Sequence, residues 1–104
     1  MATRSVYDKW KEIKDIILST PNVKVLGRSL FSIDGKCIYI YTRSDITVNT
    51  LNSILSDIKK YKNFTMPLYI VVDNDKKIDD SCKNYCNLFK NDLKLYKISK
   101  FNIQ

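Results

Sequence analysis

Histidine is absent from this chain of 104 residues, and glycine and proline occur only twice each. Each shortage removes a class of chemistry. Without imidazole there is no Ser/His or Cys/His nucleophile pair, and a zinc site loses its usual nitrogen ligand. Gly27 and Gly35 are too few for a GxGxxG dinucleotide turn or a P-loop. No CxxC pair exists, because the cysteines are Cys37, Cys82 and Cys86. An odd count without a signal peptide points to reduced thiols in a cytoplasmic or nuclear setting. Cys82 and Cys86 share one face of an expected helix. Two thiols so placed can hold a metal or sense redox state, but they read as buried structural side chains. No apolar run reaches bilayer length, so no membrane association is expected. The scarcity of Gly and Pro also implies regular structure nearly end to end, in a single α/β domain over residues 1–104.

What the chain has in quantity is lysine and aliphatic bulk. The net charge is +7, and 44% of residues are hydrophobic. Of eighteen basic residues only Arg4, Arg28 and Arg43 are arginine. The excess is spread over both halves, with no basic tail. Such a field favours polyanionic partners. Lysine is a point charge, suited to phosphate contact more than to bidentate reading of base edges.

The stretch from Asp34 to Asp73 organises the rest. It reads as strand (36–42), helix (46–61) and strand (67–73), the pattern of a βαβ unit with parallel strands. Before it, Ser5 suits the N-cap of a helix to about Ser19, with Val6, Trp10, Ile13 and Ile17 in one stripe and Ile16 widening it. Trp10 is expected to pack on the sheet. Pro21 ends this helix, strands follow at 23–26 and 28–33, and Gly27 separates them. Asp34-Gly35 between apolar runs is a two-residue hairpin signal. Tyr39 and Tyr41 alternate with Ile38 and Ile40, so the strand at 36–42 is expected to be central and covered on both faces. Asp45 or Thr47 caps the second helix, whose buried stripe is Val48, Leu51, Leu55 and Ile58 with Ile54 beside it. A third helix starts at Asp79 or Asp80 and runs to about Asn91, with Cys82, Tyr85, Cys86 and Phe89 inward. A strand at 93–98 follows, then Phe101 and Ile103. The expected order is α-β-β-β-α-β-α-β, a mixed sheet with helices on both faces.

Asp73 and Asp75 sit at the carboxyl end of a parallel strand, where α/β sites lie and where Mg²⁺ is one ligand to consider. Two acids in a polar loop also form turns, and that reading is preferred. The element order resembles the core of PD-(D/E)xK nucleases. Those need an acid near the second strand and an acid-x-Lys on the next. Here Asp34 is the only acid near the hairpin and residues 36–42 carry none, so the expectation is a nuclease-like core without an active site.

One family combines such a fold with no catalysis of its own: the N-terminal jaw domain of the fifth subunit shared by eukaryotic nuclear RNA polymerases. Tyr7-Asp8-Lys9-Trp10-Lys11-Glu12-Ile13-Lys14-Asp15-Ile16-Ile17 resembles its opening helix. Residues 37–60 resemble its strand, acidic loop and amphipathic helix, and 67–72 its buried strand. Leu95-Tyr96-Lys97-Ile98-Ser99-Lys100-Phe101-Asn102-Ile103 resembles the strand and exit that end the jaw. The segment between first helix and hairpin is shorter here, and the family's C-terminal assembly domain has no counterpart. A sheet edge or a separate chain would then anchor it. The Lys, Ile, Asn and Tyr bias suits an AT-rich coding genome, such as that of a virus or cytoplasmic plasmid.

The resemblance implies a non-catalytic small subunit or accessory domain of a DNA-directed RNA polymerase, near downstream DNA, with large polymerase subunits as partners. Phosphate contacts would come from Lys59, Lys60 and Lys62 after the second helix and from Lys76 and Lys77 after the fourth strand. No catalytic residue, metal, cofactor or small-molecule substrate is expected. Two alternatives stand beside it: a PD-(D/E)xK-like nuclease or degenerate relative, and a viral host-interaction protein with no nucleic-acid role.

Overall fold

The hairpin at Asp34-Gly35 sets the register of everything before the crossover. In the computed structural model both residues have positive φ, 49° and 82°. That is the pair of left-handed conformations a two-residue primed turn needs, and its twist matches that of the flanking strands. Strand β2 (Leu30–Ile33) thereby pairs antiparallel with β3 (Lys36–Tyr41), with Phe31 opposite Ile38 and Leu30 opposite Tyr39. Strand β1 (Val23–Val25) adds antiparallel to the outer edge of β2. The structure describes residues 6–62, 64, 65, 67–87 and 92–98. The expected Ser5 cap, the third-helix residues 88–91 and the exit after Ile98 lie outside them.

The chain then crosses through helix α2 (Val48–Ile58) to β4 (Leu68–Val72), and through helix α3 (Asp80–Asn87) to β5 (Leu93–Lys97). Both crossovers return it parallel, giving one five-stranded sheet in the order β1-β2-β3-β4-β5. Helix α1 (Val6–Leu18) precedes all of this. The architecture is the mixed α/β sheet with the element order that the periodicities imply.

Alternation along the strands divides the core in two. On one face, Cys37, Leu68, Ile70, Val72 and Leu93 meet Leu51, Ile54 and Ile58 of α2 and Cys82 of α3. On the other, Phe31, Ile33, Ile38, Ile40 and Val71 meet Ile13 and Ile17 of α1. Strand β3 is therefore covered on both sides. Ile16 departs from expectation: it is 45% exposed, because one residue off the stripe turns it about 100° away from the sheet. Helix α1 ends at Leu18, ahead of Pro21, as expected. The Ser19 hydroxyl donates to the Ile16 carbonyl at 2.7 Å, and Asn22 then takes φ of 66°.

At the start of α2 both candidate caps are used, differently. Thr47 is the N-cap, its Oγ1 accepting from the Thr50 N–H at 3.2 Å. The Asp45 carboxylate instead accepts from the Lys77 N–H at 3.0 Å, and Ile46 bridges to Ile78, so the loops after β3 and β4 are stitched together. Gly27 has a packing role: a Cβ there would lie 2.5 Å from the Tyr61 ring that covers it. No helix among the described residues is long and apolar enough to cross a membrane.

Two outcomes test this reading. Phe31→Ala empties a site with no exposure at the centre of the α1 face, and should cost about 3–5 kcal/mol in denaturant unfolding. Gly35→Ala places no new atom within 4 Å of a neighbour, so its loss of about 1 kcal/mol would come from positive φ alone.

Candidate nucleic-acid interface

The five lysines expected at phosphates fall into two groups. Lys59, Lys60 and Lys62 follow the last turn of α2 and are exposed. Lys60 leans on Asp57 at 3.6 Å, a surface pair of little energetic weight. Lys76 and Lys77 belong to the turn after β4, and the Lys77 carbonyl accepts from Ile46 N–H beside the start of α2. The two groups thus stand at opposite ends of an eleven-residue helix, about 16 Å apart along its axis. They do not make one compact patch.

A third basic cluster forms on the α1 face of the sheet, beside the helix. Lys94 on β5 is register partner to Tyr69 on β4, and Tyr96 is partner to Val71, two residues on. Tyr69 and Tyr96 therefore lie diagonally on one face, their rings edge to face with centroids 5.7 Å apart. From the other side β3 brings Lys36, whose Nζ is 5.7 Å from the Tyr69 ring centre; the Lys94 Nζ is 6.0 Å away. Two ammonium groups and two phenol rings thus share a patch three strands wide, about 10 Å across. Cationic groups beside aromatic rings are the ingredients of nucleic-acid contact: phosphates meet the charge and bases meet the rings.

Sequence reasoning missed this cluster. The period-two pattern of Leu93-Lys94-Leu95-Tyr96 does place Lys94 and Tyr96 on one face. Nothing in it gives the parallel register that sets them beside Tyr69 and Lys36.

The acidic candidates have a different occupation. Lys9 of α1 reaches across the sheet end to Asp75 at 2.5 Å and Asp73 at 3.3 Å. Its side chain is only 18% exposed. Asp73 also shapes the turn, its Oδ1 accepting from Asn74 N–H at 2.8 Å and its carbonyl from Lys76 N–H at 3.1 Å. The hydrogen bond from Lys9 holds the Asp75 carboxyl below its ordinary range, and that same bond to Asp75 raises the Lys9 ammonium. The pair of acids is thus bound to a cation from within the chain. Among the described residues no three His, Cys, Asp or Glu side chains gather where a metal ion could be held.

The thiols are quiet. Cys37 and Cys82 are buried, and the Cys82 thiol donates to the Ile46 carbonyl at 3.5 Å. Burial pushes the partly buried Cys86 up to about 11, so it stays a protonated thiol near neutral pH.

Searches of protein-family models, curated proteins and solved structures find no match to this chain.

The Lys9 tie carries a pH signature. Asp75 is lowered on folding, so its contribution is complete above the ordinary carboxylate range and is lost as pH falls through the lowered value. Lys9 is raised, so its contribution is complete below 10.5 and is lost at higher pH. Lys9→Met should be less stable than the parent in urea at about pH 7, and the difference should shrink as pH falls below the ordinary carboxylate range. A difference unchanged at low pH would assign Lys9 a packing role only.

Proposed function

We propose that this chain is a non-catalytic, nucleic-acid-contacting domain, serving as a small subunit or accessory of a multisubunit DNA-directed RNA polymerase. The convergence of Lys36 and Lys94 on the Tyr69–Tyr96 pair carries the nucleic-acid part of this reading. It sets charge and stacking surface together on a sheet face, on a chain whose net charge of +7 draws polyanions towards it. Absence of chemistry is supported by the engagement of Asp73 and Asp75 with Lys9 and by a sequence without histidine. The polymerase setting is supported by the resemblance of residues 7–17, 37–60 and 67–72 to the jaw domain, together with the shared order of elements. In that setting the rigid sheet would act as a wall along the DNA path, and the lysines at the two ends of α2 would meet phosphates further along it.

The test is the salt dependence of DNA binding, followed by fluorescence anisotropy of a labelled strand. Lys36→Ala with Lys94→Ala should reduce the magnitude of the log–log salt slope by about 1.4 on single strands and about 1.8 on duplex. An unchanged slope removes the sheet face from the interface. Affinity purification of the tagged chain from its native cells tests the setting separately. The large catalytic polymerase chains should accompany it, and their absence would sink the polymerase reading whatever the DNA result.

A further inference from the structure

Strand β3 outruns its neighbour, and a cavity opens in the resulting notch. Strand β2 begins at Leu30, opposite Tyr39, so Ile40 and Tyr41 continue past its end. On that side the Ile40 N–H donates to the Ser29 carbonyl at 3.0 Å, and the sheet stops there. The cavity measures about 340 Å³. It is walled by Tyr7 and Trp10 of α1, by Arg28 and Ser29 before β2, and by Tyr41 and Arg43 at the end of β3.

Its chemistry is one-sided. Two of the three arginines in the chain line it, and among the described residues no carboxylate does. Neither guanidinium forms an ion pair among the described residues. The aromatic wall is held in place: the Trp10 indole N–H donates to Ser29 Oγ at 2.8 Å, and the Tyr7 ring lies 5.6 Å from it at a 37° tilt. The Arg28 guanidinium is 5.4 Å from the Trp10 ring centre, and the Lys14 ammonium is 4.8 Å away. A chain that takes nearly all its positive charge from lysine thus has two arginines at one concave site. The planar guanidinium fork grips a phosphate through paired hydrogen bonds, which an ammonium cannot do. The volume sits at the small end of the range for ligand pockets, roughly 300–1,000 Å³, which suits a single nucleotide.

We propose that this notch binds a nucleoside monophosphate group, its base against Trp10 and Tyr7 and its phosphate between Arg28 and Arg43. The group comes either from a free nucleotide or from the phosphorylated end of a strand. The inference does not rest on the polymerase reading, because the notch and the Tyr69–Tyr96 face are separate sites with no residue in common.

Trp10 is the single tryptophan, so intrinsic fluorescence reports on the site directly. Titration with adenosine 5′-monophosphate should quench it saturably, and adenosine should bind about tenfold more weakly or worse. Arg28→Gln and Arg43→Gln, both at exposed positions, should each weaken the monophosphate about tenfold or more while circular dichroism and Tm stay at parent values. A short oligothymidylate compared with and without a 5′-phosphate separates the two sources. Preference for the phosphorylated strand identifies a strand end, and binding of the mononucleotide alone identifies a free ligand. No quenching by either phosphorylated probe, or equal affinity for adenosine and its monophosphate, overturns the proposal. On a labelled strand without a 5′-phosphate, the salt slope set by Lys36 and Lys94 should be unaffected in both arginine variants, so failure at one site does not count against the other.

Discussion

Strands β3 and β4 must bury both of their faces at once. Ile38, Ile40 and Val71 point to α1, while Cys37, Leu68, Ile70 and Val72 point to α2 and α3. Because side chains alternate with a period of two, a slip of one residue in either strand would exchange these sets. It would drive Tyr39 and Tyr41 under α1 and carry Ile38 and Ile40 towards α2. The parallel pairing of the two strands also fixes the place of α2. A chain leaving the carboxyl end of β3 must return to the amino end of β4, and an eleven-residue helix of about 16 Å spans that return. Helix α1 covers the opposite face, without which Phe31, Ile38, Ile40 and Val71 would meet water. Lys9 adds an electrostatic latch at one end of that cover.

This division of labour accounts for where charge is left over. The acids after β4 are spent on holding α1, and Asp45 is spent on the Lys77 backbone. Among the described residues, the lysines on the sheet face and at the ends of α2 are tied to no carboxylate, apart from Lys60, which leans on Asp57 at the surface. The positive field is therefore a surface property laid over a framework whose internal ionic needs are met locally. Such a surface favours attachment to polyanions, and on the sheet face Lys36 and Lys94 lie beside the Tyr69 ring.

Much of the framework was legible in the residues. Periodicity gave the element types, and Asp34-Gly35 gave the hairpin, because each depends on neighbours within a few positions. The cap of α2 was half legible: Asp45 and Thr47 both have capping chemistry, and only the nearness of the loop after β4 decides between them. Ile16 looked like core because it is apolar, although its angular position on the helix turns it outward. The site was far less legible. Lys59, Lys60, Lys62, Lys76 and Lys77 stood out as runs, yet runs say nothing of the helix length that separates them. Lys36, Tyr69, Lys94 and Tyr96 stand far apart in sequence and meet only through the register of two parallel pairs. The same holds for the notch, whose arginines become neighbours only because β3 is longer than β2.

The reach of Lys9 also bears on how the chain is made. Its carboxylate partner Asp75 lies 66 residues downstream, and the hydrophobic seat of α1 includes Val71. During synthesis α1 emerges first but cannot dock until β4 and its following turn have left the ribosome. At typical elongation rates of 5–20 residues per second, that wait is about 3–13 s. For that interval an amphipathic helix carries Ile13 and Ile17 without the seat that later buries them, which makes it a natural client for chaperones.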